Sequence, residues 1–180
     1  MTKYAKIMAT FGVLAGLGVA SLPLATFAAN NSETTVKVTV QEGISIANDN
    51  ATADAGNKTP GEAGSATSNL TAATNNAAGL KITVKDKDED TSLRAASITG
   101  SVAGVDFIKA AASGAGTWSL KGGDLAVDTA MVASNETALV VKNTTGPSTE
   151  AVAMTYRIEP GAAQRQGTYE DVIVYTVTKN

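Results

Sequence analysis

Three aspartates at alternate positions, Asp86, Asp88 and Asp90, have the spacing in this 180-residue chain that is best suited to binding chemistry. They resemble the first half of a helix-loop-helix calcium loop, in which oxygen ligands converge on one Ca²⁺. The rest of that pattern is missing, because Thr91 stands where the sharp-turn glycine belongs and Ser97 where the bidentate glutamate belongs. A solvated acidic turn is the simpler interpretation. Calcium is the one cofactor that the sequence leaves open.

The composition argues against an enzyme. The chain has no His and no Cys, which removes the commonest general base, the thiol nucleophile and the preferred ligands of zinc. No Gly-x-Ser-x-Gly elbow is present. Glu159, Glu170 and Asp171 could form a carboxylate pair for glycoside hydrolysis, but acidic residues beside turns usually only increase solubility. We therefore predict a protein without catalytic activity.

The charge balance excludes another class of function. There are 14 Lys and Arg residues against 17 Asp and Glu residues, for a net charge of −3. Nucleic-acid binding depends on clustered cations that neutralise phosphates, and no such cluster is present. No nucleic-acid partner is expected.

Residues 1–28 have the three-part layout of a secretory signal peptide. Lys3 and Lys6 precede an apolar run, and small residues near Ala28 suit cleavage after that residue. An uncleaved membrane anchor is the alternative, because the first acidic residue is Glu33, but the glycines and Pro23 disfavour it. We expect membrane contact only through the signal peptide before cleavage. The mature protein is expected outside the cytoplasm, at the cell surface.

Alternating apolar residues predict an all-β protein. In the first such run Val36, Val38 and Val40 lie on one side, which predicts a half-buried strand. With a bend at Gly43, residues 35–47 are predicted to be one bent strand of the N-terminal region 29–47. No apolar periodicity follows, so residues 48–72 are predicted to be a flexible loop or linker. The main part of the fold is assigned to residues 73–180. Further strands are predicted at residues 80–84, 93–98, 102–108, 117–120, 137–142, 152–158 and 169–178.

These short strands with Gly, Asn and Pro between them favour an Ig-like antiparallel β-sandwich of about seven or eight strands, with a barrel as the alternative. Trp118, Tyr156 and Tyr175 are expected to anchor its core. The last strand is apolar on both faces, because Val172 and Val174 alternate with the core-facing residues. A strand of that kind is expected to be central or covered.

Two segments resemble a known group of proteins. Residues 164–178, which contain Gly167-Thr168-Tyr169 followed by alternating Val and Thr residues, are similar to the ending of secreted Ig-like surface domains and fimbrial subunits. Residues 75–93 look like the matching middle segment. The resemblance implies a cell-surface or fibre-forming β-sandwich, in which Gly167 and Tyr169 shape a strand entry. The chain departs from many fimbrial subunits in having no disulfide.

Two functions stay open from the sequence. The first is a structural subunit of a surface layer, pilus or fibre, which associates with itself or with another surface protein. In that hypothesis residues 34–40 donate a strand to an exposed sheet edge, and the interaction residues are Val36, Val38, Val40, Val172 and Val174. The second is a monomeric, adhesin-like module that binds a host surface, a cell wall or a glycan.

Overall fold

The computed structural model describes residues 33–180, so the predicted signal peptide lies outside the described residues. The described chain is all-β. It divides into two units, with the boundary in the sequence between Thr39 and Val40. Residues 33–39 belong to no strand, and every strand lies in the second unit. No helix of the described part is long and apolar enough to cross a membrane. The ten strands are β1 (Ile44–Asn48), β2 (Gly64–Thr74), β3 (Leu80–Asp86), β4 (Leu93–Arg94), β5 (Phe107–Ala110), β6 (Thr117–Gly122), β7 (Leu125–Thr129), β8 (Leu139–Asn143), β9 (Ser148–Glu159) and β10 (Ile173–Lys179).

The strands form two sheets. The larger sheet has the order β1-β2-β9-β6-β5-β4, with β7 also paired to β6, and it curls into a half-barrel. The smaller sheet has the order β10-β3-β8. All strand pairs are antiparallel except β5 with β6, which is parallel, so the prediction of a purely antiparallel fold is wrong at this pair.

The longest ladder joins β2 to β9. It pairs residues continuously from Gly64 with Ile158 to Thr74 with Ser148. Every second residue of β2 is buried, as expected for a strand with one face on the core. The buried face is built from small residues around a single large one, Leu70. Small side chains there leave room for the aliphatic face of β3.

Residues of both sheets contribute to one hydrophobic core. Trp118 and Tyr156 are only 3% and 7% exposed, which confirms two of the predicted core anchors, whereas Tyr175 is half-buried at the periphery. The indole Nε1–H of Trp118 donates to the Thr91 carbonyl at 2.8 Å, so this buried polar group is satisfied. The other buried apolar residues of this core cluster are Ala66, Leu70, Ala72, Leu80, Ile82, Val84, Ile108, Leu120, Met131, Val141, Val152 and Met154.

The predicted flexible linker at residues 48–72 is wrong from Gly64 onward. Residues 64–72 belong to β2, which lies between β1 and β9 in the larger sheet. The error has a physical cause, because the buried positions of β2 are mostly Ala, Ser and Thr, which carry little hydrophobic signal in the sequence. Their burial depends on the neighbouring strands.

The predicted bent strand at residues 35–47 is wrong up to Gly43 and correct from Ile44 to Ala47. Residues 33–43 form no strand, and the first strand begins only at Ile44. Further along the chain, the strand expected at residues 93–98 is reduced to Leu93–Arg94, and β7 was not predicted. Strands with aliphatic alternation, such as β3 and β9, were predicted correctly.

Replacement of Leu70 by Ala tests the central position of β2. Leu70 is fully buried, so we expect the free energy of unfolding to fall by about 2–5 kcal/mol, through lost burial and the remaining cavity. Urea denaturation followed by circular dichroism measures the change. Val127→Ala, at a residue that is 70% exposed, is the control and should change stability by less than about 0.5 kcal/mol. If Leu70 lay in a flexible linker, Leu70→Ala would change stability as little as the control does.

Candidate interaction surface

The edge strands β1 and β10 face each other across a cleft. Among the described strands, β1 pairs only with β2 and β10 pairs only with β3. The space between them has a volume of about 330 Å³ and is lined mainly by aliphatic and aromatic side chains. At the end of β10, Lys179 Nζ lies 3.3 Å from Glu42 Oε2, and this ion pair links β10 to the segment just before β1. The lining residues are Ile46, Ala47, Asn48, Leu70, Ile173, Val174 and Tyr175.

The hydrogen-bonding pattern shows which backbone groups of β10 face the cleft. Residues of an antiparallel pair alternate between those bonded to the partner strand and those directed away from it. The N–H of Lys87 donates to the Val172 carbonyl at 2.9 Å, and the N–H of Asn180 donates to the Gly79 carbonyl at 3.2 Å. Even-numbered residues therefore bond to β3. The N–H and C=O groups of Ile173, Tyr175 and Val177 point toward the open edge.

The same reasoning applies to β1. The N–H of Asp49 donates to the Asn69 carbonyl at 3.0 Å, so odd-numbered residues bond to β2. The backbone groups of Ile44, Ile46 and Asn48 then point toward the open edge. Two sets of backbone donors and acceptors thus border one apolar cleft. An exposed edge of this kind is a template for another strand.

The outer face of β10 is not covered by the described residues. Val172 is 55% exposed and Val174 is 40% exposed. The prediction that this strand is central is wrong, because β10 is the edge of its sheet. Its core-facing residues Ile173, Tyr175 and Val177 pack against the core only in part. The outer face of β10 is thus exposed, whereas its open edge lies close to β1.

The aliphatic residues of the N-terminal segment are more exposed still. Val36, Val38 and Val40 are 92%, 84% and 77% exposed. They keep the strict alternation of a strand with one apolar face, yet they lie outside every strand. The sequence identified the strand-like pattern, and the structure places these side chains in solvent.

The acidic turn has a different arrangement from the predicted one. Asp86 is buried at the end of β3, and its Oδ1 accepts the N–H of Asp88 at 2.9 Å. The carboxyl of Asp171, just before β10, lies within hydrogen-bonding reach of Asp86. Asp90 forms an ion pair with Arg94. No group of three acidic, His or Cys side chains suited to a metal occurs within residues 33–180.

Burial raises the pKa of the Asp171 carboxyl to about 8. The hydrogen bond with Asp86 and the negative charges of Asp86 and Asp88 raise it further, whereas the N–H of Val172 lowers it. Asp171 was considered in the sequence as a possible partner of Glu159, which instead pairs with Arg157. No signal in the sequence connected Asp171 with Asp86, because their contact depends on the pairing of β10 with β3.

The chain matches no family model, no curated protein and no solved structure. The open edge of β10 beside the apolar cleft is the feature of this surface on which a strand of another chain could be added.

The Asp171 carboxyl makes stability depend on pH. The unfolded chain releases this proton near pH 4, whereas the folded chain keeps it to about pH 8. Stability from this group is therefore fully present below pH 4 and declines as the pH rises to 8. In buffer with a metal chelator, urea denaturation should show lower stability at pH 8 than at pH 5. Asp171→Asn should reduce that decline.

The interval between pH 5 and pH 8 separates Asp171 from other carboxylates. Hydrogen bonds lower the pKa of Asp49 and Glu62, so their effects on stability are confined to more acidic solutions. Asp54→Asn, at an exposed acidic residue between β1 and β2, is the control. An equal decline in the wild-type protein and the Asp171→Asn variant would contradict the assignment.

Proposed function

We propose that the protein is an exported structural subunit of a surface layer, pilus or fibre, and that residues 34–40 of one copy add a strand to another copy. The observation that carries the proposal is the near-complete exposure of Val36, Val38 and Val40 in a segment patterned as a strand. The export pattern of residues 1–28 and the absence of His and Cys support the same conclusion.

Exposure of the three valines has an energetic consequence. Burial of one Val side chain stabilises by about 1.5–3 kcal/mol, so burial of three contributes about 5–9 kcal/mol. Association of two proteins costs on the order of 4–15 kcal/mol in lost freedom of motion. Apolar burial alone therefore approaches the cost without clearly exceeding it. Backbone hydrogen bonds along an added ladder, each about 0.5–1.5 kcal/mol, supply the remainder.

The proposed acceptor is the open edge of β10. Three alternate residues of the donor, Val36, Val38 and Val40, match in number the three core-facing residues of β10 that direct backbone groups toward the cleft. In a paired strand, alternate side chains lie on the same face of the sheet. The donor valines would then fill the cleft, while Lys37 would lie on the outer face beside Val174.

We further propose that the donated strand completes an Ig-like sandwich between two copies. The two observed sheets leave β1 and β10 unjoined at one side of the core. A donated strand at this position would cover the half-buried side chains of Ile46 and Tyr175. The open cleft is thus the place where one copy lacks a strand that another copy carries.

Charge substitution in the donor segment tests the proposed function. In the exported protein, Val36→Asp with Val38→Asp should abolish oligomers, because burial of two carboxylates opposes insertion into the cleft. Thr35→Asp with Thr39→Asp, on the other face of the same segment, is the matched control and should retain assembly. Light scattering coupled to size-exclusion chromatography, over a series of concentrations, measures the mass.

Two outcomes would contradict the proposal in different ways. Polymers that persist in the Val36→Asp, Val38→Asp protein would show that another segment joins the subunits. A single monomer peak for the wild-type protein at every concentration would favour the adhesin-like binding module, and a ligand screen would follow. Deletion of residues 29–41 should leave a folded monomer, as judged by circular dichroism.

Engineered cysteines locate the acceptor edge, since the chain has no native Cys. A Lys37→Cys protein mixed with a Val174→Cys protein of different tag length should form a mixed disulfide upon mild oxidation. The control is Lys37→Cys mixed with Val127→Cys, whose site is exposed on β7, another edge strand. Non-reducing gel electrophoresis distinguishes the products. A stronger product with β7 would place the acceptor there and leave assembly itself unchallenged.

A further inference from the structure

Two buried carboxyl oxygens at the junction of β3 and β10 accept no hydrogen bond from an N–H group or from a Ser, Thr or Tyr hydroxyl within residues 33–180. They are Oδ2 of Asp86 and Oδ2 of Asp171. Asp86 is only 1% exposed, and the two carboxyl groups lie within hydrogen-bonding reach of each other. A buried carboxylate without a partner is costly, and two adjacent ones repel each other in addition. A proton shared by the two carboxyl groups relieves this cost, and a cation bound by both would relieve it as well.

The nearby basic side chains do not supply that charge. Lys85 Nζ donates to the Ser134 carbonyl at 2.6 Å. Arg94 pairs with Asp90, and its guanidinium lies 4.5 Å from the centre of the Phe107 ring. The charged groups that act on Asp171 are Asp86 and Asp88, both negative. The local field therefore attracts a cation.

We propose that Asp86 and Asp171 bind a Ca²⁺ ion that ties the beginning of β10 to the end of β3. Carboxylate oxygens are hard ligands, and Ca²⁺ accepts them in flexible geometry together with backbone carbonyls and water. Zinc is disfavoured, because the chain has neither His nor Cys. Asp88 contributes negative charge near the ion, and its Oδ1 accepts the N–H of Asp90 at 2.8 Å.

This site differs from the one that the spacing of aspartates predicts. Asp90 has no part in it, because its carboxylate is held by Arg94 and by the N–H of Ser92 at 3.1 Å. The second carboxylate comes from Asp171, which is remote in sequence but adjacent through the pairing of Asp86 with Ile173. The ion would thus join two strands, where the predicted site would order a single turn.

Calcium titration of the purified, chelator-treated protein at pH 7.5 tests the proposal. Isothermal calorimetry should show binding, with a dissociation constant in the range of roughly 10⁻⁴–10⁻³ M typical of extracellular calcium modules. The melting temperature should rise with calcium concentration, because the ion binds the folded chain. Asp171→Asn should weaken binding at least tenfold, and Asp90→Asn, the matched control in the same turn, should leave it unchanged.

Three results would overturn the proposal. The first is the absence of both heat and a shift in melting temperature for the wild-type protein at about 10 mM calcium, ten times the weakest expected constant; the Asp pair would then hold a proton. The second is equal affinity in the Asp171→Asn variant, with circular dichroism confirming that it is folded. The third is loss of binding in the Asp90→Asn variant alone, which would place the ion in the acidic turn.

Discussion

The ladder between β2 and β9 is the interaction on which the rest of the structure depends. Both strands are long and paired in register from end to end. On its other side β9 pairs with β6, and β2 pairs with β1, so the ladder lies within the larger sheet and fixes the positions of both neighbours. Its inner face contributes Leu70, Val152 and Met154 to the core. Without it, neither the half-barrel nor the position of the cleft is defined.

The open cleft lies where the two sheets end. The larger sheet terminates on one side at β1, and the smaller sheet terminates at β10. Proteins usually protect such edges with charges, prolines or short strands. Here the accessible edge carries aliphatic residues, with Val174 on the outer face and Ile173 toward the core. In the proposed assembly, the exposed valines of residues 36–40 are the donor for this edge.

The sequence predicted strands where large aliphatic residues alternate with polar ones, as in β3 and β9. It failed for β2, whose inward positions include Ala66, Ser68 and Ala72, because burial of small residues is imposed by neighbouring strands. The opposite error occurred at residues 35–40. Alternation there showed that the segment is suited to a sheet. Pairing also requires a partner strand, and residues 35–40 pair with no strand of the described chain.

The candidate site was predictable only in its local parts. The two valine sets and the aspartate run could be recognised, because each depends on residues close together in sequence. The cleft lies between β1 and β10, and the carboxyl pair consists of Asp86 and Asp171. Both depend on contacts between residues that are distant in sequence. The Tyr169 hydroxyl donates to the Arg165 carbonyl at 2.8 Å, which is a contact between residues close together in sequence.

A chain of hydroxyl groups crosses from one sheet to the other. Ser68 Oγ lies 3.0 Å from the Tyr156 hydroxyl, which lies 2.8 Å from the Tyr175 hydroxyl. Burial and the neighbouring Tyr156 raise the pKa of Tyr175 well above its usual value. The phenol therefore stays neutral in alkaline solution for as long as β9 and β10 remain together. The ultraviolet absorbance of tyrosinate is thus an intrinsic optical signal of separation between the sheets.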